Sequence, residues 1–221
     1  MFGKTAFLYL DSHHINCLVM NTFYEQSYQT LQRILNRYAK IPDSEWKTFE
    51  TFIRQRFVKK NAHLLKPDQV SRQLSFVCKG LLRMYKLNDG MEINTAFFPE
   101  MSLADSFVSF MRQQPSEYGI QALEDTHLLT VSYDAMQELG TGNNCWRELA
   151  LGASIFKLTQ KEHRETLLLH SSAEERYLNF LKKCPQLASR IPQYHLASYL
   201  CIKPESLSRI RKGLVPANRK K

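Results

Sequence analysis

No run of residues in this chain approaches the roughly 20 consecutive apolar positions of a membrane-crossing helix, so no such span is expected. The five cysteines, Cys17, Cys78, Cys145, Cys184 and Cys201, are scattered, and none forms a C-x-x-C pair. That spacing supports neither a zinc ribbon nor an iron–sulfur cluster. An odd number of dispersed thiols suits a reducing cytoplasm rather than a disulfide-bonded secreted fold. Only 8 of 221 residues are glycine, and no glycine-rich phosphate loop or βαβ alternation occurs. A Rossmann or P-loop enzyme is therefore not expected. No nucleophile–base pair, metal set or paired carboxylates stand in a distinguishing context, so an enzyme ranks well behind a binding protein. Near the N-terminus Lys4 and the apolar run Ala6–Leu10 are followed at once by Asp11, His13 and His14, which makes a poor signal peptide.

What is present is a globular composition, 43% hydrophobic and 23% charged, with a net charge of +9. The charge is unevenly placed. Residues 171–221 hold eleven cations, from Arg176 to Lys221, against the three carboxylates Glu174, Glu175 and Glu205, so nearly all of the net charge sits in the last quarter. A near-neutral body with a basic end suggests a module for a polyanion, or a merely solvated basic face.

Along the chain, Leu31, Ile34, Leu35 and Tyr38 share one face of a helix expected over 24–40. Pro42 and Asp43-Ser44 open a second helix with Trp46, Phe49, Phe52 and Ile53 as its stripe. After about residue 56 the texture turns to short strands: Leu74–Cys78, Leu81–Lys86, Glu92–Phe98, Gly119–Leu123 and His127–Ser132. Lys79-Gly80 and Asn88-Asp89-Gly90 mark turns between them. Strands at such intervals predict an antiparallel roll or barrel.

From Asn143 a long helix returns. Trp146, Leu149, Ala153, Phe156, Gln160, His163 and Leu167 step 3-4-3-4-3-4, the spacing of a coiled-coil seam. This stripe is expected to join two copies of the chain; the alternative is a helix packed on its own roll. Ser171-Ser172-Ala173-Glu174-Glu175 restarts a helix with a serine cap and acids in the first turn.

Residues 193–212 read as two helices around a tight turn. Leu196 and Leu200 face inward from the first, Ile202, Leu207 and Ile210 from the second, and Pro204 suits the first position of that second helix. This is the pattern of a helix-turn-helix, whose second helix enters the major groove. Its outer face bears Glu205, Ser206 and Arg209, with Arg211 and Lys212 beyond; Gln193 and Lys203 flank it. These seven are the candidate DNA-binding residues. Arginine can bridge guanine O6 and N7, and glutamate can accept from cytosine N4. An internal Glu205–Arg209 helix pair is the alternative use of the same spacing.

The string Ile191-Pro-Gln-Tyr-His-Leu-Ala-Ser-Tyr-Leu200, followed by Pro204-Glu-Ser-Leu-Ser-Arg-Ile-Arg-Lys212, resembles the Crp/Fnr family of bacterial transcription regulators. Phe76–Arg83, Asn88–Phe98 and Pro115-Ser116 leading to Ala122–Thr126 resemble that family's roll. The resemblance spans about residues 24–212. It implies an α+β chain: an N-terminal antiparallel β-roll with flanking helices, a long dimerisation helix and a C-terminal helix-turn-helix domain. The divisions expected are a leader over 1–20 (with Met20 a candidate start), a roll over 21–142, the dimer helix over 143–170 and the DNA-binding domain over 171–221. In the family the positions of Glu205 and Arg209 contact bases and that of Ser206 lies in the same interface. Two departures stand out. Cys201 occupies a turn position where the family has glycine, a left-handed site that costs a side chain about 1 kcal/mol, and Lys203 replaces a small polar cap.

The resemblance also implies a cyclic-nucleotide pocket built on a Gly-Glu pair and, about ten residues on, an arginine beside Ser or Thr. Here Ala104-Asp105 and Pro115-Ser116-Glu117 stand instead. A cyclic phosphate would lose its guanidinium and meet Glu117. Asp105, Arg112 and Ser116 are the remaining pocket candidates, Arg112 as a substitute cation. No cofactor is expected: the effector is unidentified, and cyclic AMP is not expected to be the ligand. An Fnr-type cluster would need grouped N-terminal cysteines where only Cys17 stands. Haem would need an axial histidine, for which His63 is a weak candidate. The expected partners are double-stranded DNA and a second copy of the chain, with RNA polymerase a further candidate and no membrane. The competing reading is a ligand-binding or protein-interaction module carrying a vestigial DNA-binding domain.

Overall fold

The computed structural model describes the backbone of residues 12–214 and the side chains of residues 24–214. Helix α1 (Ser12–Leu35) and helix α2 (Asp43–Phe52) precede the strands. α1 begins inside the segment expected to be a leader and ends before Tyr38, which lies in a following turn; residues 1–11 are outside the described residues. α2 starts directly after Pro42, with Asp43 and Glu45 in its first turn where the helix dipole favours acids.

Eight strands follow: β1 (Arg54–Val58), β2 (His63–Leu65), β3 (Gln73–Lys79), β4 (Leu82–Asn88), β5 (Met91–Phe98), β6 (Leu103–Ala104), β7 (Tyr118–Ala122) and β8 (Thr126–Ser132). Helix α3 (Phe107–Arg112) interrupts them between β6 and β7. They form two antiparallel four-stranded sheets, ordered β1-β8-β3-β6 and β2-β7-β4-β5. Between the sheets lie Val58, Val77, Leu82, Ile120, Ala122 and Leu128, all buried. The five strands expected from sequence are β3, β4, β5, β7 and β8. β1, β2 and β6 went unread: β1 buries only Val58, and the two or three residues of β6 and β2 carry no measurable alternation.

Two turns fix the register. Asn88 pairs with Met91 across a two-residue loop in which Asp89 (φ 49°) and Gly90 (φ 78°) are both left-handed, as a tight twisted hairpin requires. At Gly80 (φ 104°) a Cβ would come within 2.5 Å of Thr126 Oγ1 and 2.7 Å of the Asp125 carbonyl oxygen. Only glycine fits there.

Helix α4 (Tyr133–Thr141), capped by Ser132, leads to the 26-residue helix α5 (Cys145–His170). The first turns of α5 pack against α1, α2 and the outer face of the β1-β8-β3-β6 sheet. Trp146 and Leu149 are buried there with Leu31, Leu35, Phe49 and Phe76. The indole ring of Trp146 lies 5.1 Å from that of Phe49, and its Nε1–H donates to Glu45 Oε2 at 2.8 Å. These two members of the expected seam are thus core residues of the chain itself, and Phe156 leans on Tyr38 at 5.6 Å between ring centres. The apolar side chains of α5 that face solvent are Leu151, Ile155, Leu158 and Leu169 on one side and Phe156 on the other. The first four step 4-3 and then, over Glu162 and Glu165, continue the same row, on the opposite side of the helix from the expected stripe.

Helix α6 (Ala173–Lys183) begins with a reciprocal capping box: Ser172 Oγ accepts from the Glu175 amide, and Glu175 accepts from the Ser172 amide at 2.7 Å. A short 3₁₀ turn (Pro185–Leu187) connects to α7 (Gln193–Tyr199) and α8 (Pro204–Leu214). Leu187, Leu196, Ala197, Leu200 and Leu207 form their core, and the core also takes in Leu81 and Leu123 from the roll. Among the described residues, no helix is long and apolar enough to cross a membrane.

Candidate nucleic-acid interface and effector pocket

α7 and α8 are joined as the sequence requires. Cys201 sits at φ 54°, in the left-handed region where the family places glycine. The Ile202 amide closes the turn on the Ala197 carbonyl at 3.0 Å. Lys203 immediately precedes α8, its carbonyl accepting from the Ser206 and Leu207 amides at 3.0 and 3.1 Å. Leu207, fully buried, anchors α8 against α7.

Glu205, Arg209 and Lys212 occupy positions i, i+4 and i+7 of α8 and are all exposed. No ion pair joins Glu205 to Arg209 among the described residues. Among the described residues the Arg209 guanidinium makes one hydrogen bond, from Nη2 to Ser206 Oγ at 3.4 Å. Both side chains are therefore unspent.

Arg211 is a correction. Its Nε donates to Tyr177 Oη at 3.1 Å and its Nη2 to the Ala188 carbonyl at 3.2 Å, so it braces α8 against α6 rather than facing outward. Gln193 is exposed, and its Nε2 donates to the Pro204 carbonyl at 3.1 Å. Arg219, Lys220 and Lys221 lie outside the described residues.

Sequence reasoning missed how the reading head is held. Arg190 donates to both oxygens of Glu100 and of Glu124, at 2.7 to 2.9 Å, and to the Gly80 carbonyl at 3.2 Å. Glu124 and Glu100 hold its guanidinium above the ordinary arginine value. On the neighbouring surface the buried Arg83 pairs with Glu92 and donates to Gln121, and its Nη1 donates to Asn94 Oδ1 at 3.1 Å. That fixes the Asn94 amide so that its nitrogen meets α7, donating to His195 Nδ1 at 3.1 Å and to the His195 carbonyl at 3.3 Å. The Asn94 amide N–H donates to Ser198 Oγ at 2.9 Å. These partners are about a hundred residues apart in sequence, and no local pattern announces them.

His195 accepts at Nδ1, so its neutral form is the one the interface uses. Burial, then the Arg83 charge, push its pKa down to about 4, with Glu92 opposing. An unfolded histidine takes up its proton near 6.5, so a group depressed in the fold stabilises fully above that pH. The contribution then falls away between about 6.5 and 4. Urea midpoints of the wild type should drop across that window, and His195→Gln should flatten the drop; an equal drop in the variant refutes the assignment.

Two of the three pocket candidates, Asp105 and Ser116, come close together, and Arg112 stands apart. Asp105 and Ser116 are buried, and Ser116 Oγ donates to Ser106 Oγ at 2.8 Å. Arg112, by contrast, is exposed at the end of α3 and makes no hydrogen bond or ion pair among the described residues. Asp105 is met instead by Lys157 of α5, Nζ to Oδ1 2.5 Å. Glu117 is paired at the surface with Lys86 at 2.6 Å. His63 Nε2 lies 3.0 Å from Tyr85 Oη, already engaged. A small apolar cavity of about 50 Å³ lies elsewhere, between α1, α2 and the sheet, lined by residues such as Leu31, Phe49 and Leu74.

Comparison with known proteins follows this geometry. Residues 55–143 match the cyclic nucleotide-binding domain family. No curated protein sequence matches the chain. Among solved structures, FixK2 from Bradyrhizobium japonicum is 21% identical with a TM-score of 0.63, covering 73% of this chain and 84% of that one. The c-di-GMP-responsive global regulator CLP of Xanthomonas campestris is 17% identical with a TM-score of 0.61, covering 78% and 91%. The catabolite activator protein of Thermus thermophilus is 18% identical with a TM-score of 0.51, covering 79% and 84%. Residues 55–143 are thus similar in sequence to the cyclic nucleotide-binding domain family, and the chain has the fold of these three solved structures.

Proposed function

We propose that the chain is a dimeric, cytoplasmic, sequence-specific DNA-binding transcription regulator, and not an enzyme. The observation that carries this reading is the outer face of α8. There Glu205 and Arg209 stand exposed and Ser206 half-buried, with no ion pair among the described residues, on the second helix of a helix-turn-helix. Arg209 and Glu205 are assigned to base edges and Lys212 to a phosphate. Arg211 and Gln193 are assigned to holding the module together.

The dimer is proposed to form through α5, along Leu151, Ile155, Leu158 and Leu169. Ala153, Gln160, His163 and Leu167 lie on the opposite side of α5 from this row. Two recognition helices would then stand about one DNA turn apart, roughly 34 Å, on a palindromic site. Control by cyclic AMP is not part of the proposal. The cassette offers Asp105 already paired to Lys157, Glu117 nearby, and Arg112 in solvent. RNA polymerase is a proposed partner only through the regulator reading itself.

Selection of duplexes from a random pool, at fixed near-physiological salt and with no nucleotide added, tests this. An enriched palindrome is expected. With that duplex, Lys212→Ala should weaken all sequences alike and lower the salt slope by about 1; a sequence-dependent loss would overturn its phosphate role. A competing reading, an interaction module with a vestigial reading head, draws on the internal hydrogen bonds of Gln193 and Arg211. It predicts no enriched duplex.

A further inference from the structure

The one carboxylate left in the cassette is buried and would be costly without a partner. Asp105 follows β6 and precedes α3, and its side chain is 3% exposed. Lys157 reaches it from α5, 52 residues on, with its own side chain 32% exposed and its Nζ 5.9 Å from the Phe107 ring centre. On α5, Lys157 shares the half-buried face with Ala153 and Ser154, while Leu151, Ile155 and Leu158 point to solvent. Gly152 supports the same orientation, since a Cβ there would lie 3.0 Å from the Tyr38 carbonyl oxygen.

We propose that Lys157 is a built-in effector: its ammonium on Asp105 fixes the rotation of α5 against the cassette, so that the outward stripe is presented without any small molecule. α5 is held at its start by Trp146 and Leu149, near Tyr38, and toward its end by Arg164, whose Nη2 donates to the Tyr199 carbonyl at 3.0 Å; the Lys157–Asp105 pair is the charged tie from the middle of the helix to the cassette. Beneath the pair the Ser106–Ser116 hydroxyl contact closes the cassette on itself. An anionic ligand would have to break both. The inference deepens the regulator reading and rests on it.

The test compares wild type, Lys157→Met and the charge swap K157D/D105K, by hydrogen exchange of the free proteins and by binding to the selected duplex with no nucleotide added. Lys157→Met is expected to speed exchange of amides in the middle of α5 and to weaken DNA binding about tenfold, within the usual range of coupling between sites. The swap is expected to recover both. If Lys157→Met alters neither, the pair is ornamental and the proposal is overturned. Faster exchange with unchanged affinity leaves a packing contact and overturns the effector role. If the wild type selects no duplex at all, the regulator reading fails and takes the effector role with it. The exchange data then still show whether the pair orders α5.

Discussion

Replacing Trp146 with alanine is expected to lower the unfolding free energy by about 3–5 kcal/mol, while leaving the dimerisation constant of the folded protein unchanged. The indole is 2% exposed, packs on Phe49 and donates to Glu45 Oε2 at 2.8 Å. Its removal opens a hole at the junction of α2, α5 and the sheet and strips Glu45 of a donor. The surrounding helices are tied to the strands on both sides, so they can collapse only partly into the space. Urea melts give the stability, and sedimentation at several concentrations gives the association. A loss below about 1 kcal/mol, or a weakened dimer with unchanged stability, would return Trp146 to the seam.

For Arg209→Ala, affinity for the selected duplex should fall by about 1–3 kcal/mol, and the base preference should relax at one position of each half-site. The guanidinium has no carboxylate partner to release; its single bond is a long one to Ser206 Oγ. The loss therefore reports base contact rather than a broken internal pair. Arg209→Lys should recover little, because an ammonium cannot bridge two acceptors in the plane of a base. A loss of equal size on every sequence would mean that Arg209 reads phosphate, and the base-reading role would be withdrawn.

How far these features were legible in the sequence follows from the range over which each is determined. The Asn88–Met91 hairpin is settled by two residues that tolerate positive φ, and the α7–α8 pair by an apolar pattern, Leu196 to Ile210, that lies within twenty positions. Both were readable. The long helix was readable as a helix but not as an interface. α5 carries apolar residues on two faces, and periodicity alone cannot say which face the chain covers itself. Trp146 and Leu149 were assigned to a partner because their covering residues, Leu31, Phe49 and Phe76, come from elements about a hundred positions away. Arg211 looked like a DNA contact for the same reason, since its acceptors Tyr177 and Ala188 are 34 and 23 residues upstream. Lys157 was passed over altogether. A lysine on an exposed-looking helix carries no sign that a buried aspartate is waiting for it.

The sharing of Leu81 and Leu123 between the roll and the helix-turn-helix core bears on how such a protein can be recombined. A reading head cut at Ser171 would leave behind two of its own core side chains, together with the carboxylates of Glu100 and Glu124 that hold Arg190. Transplanted onto another body, it would meet an unfamiliar socket. Changing the operator of this chain is thus a task for substitutions along α8, where the side chains are free of the socket, and not for exchange of whole modules.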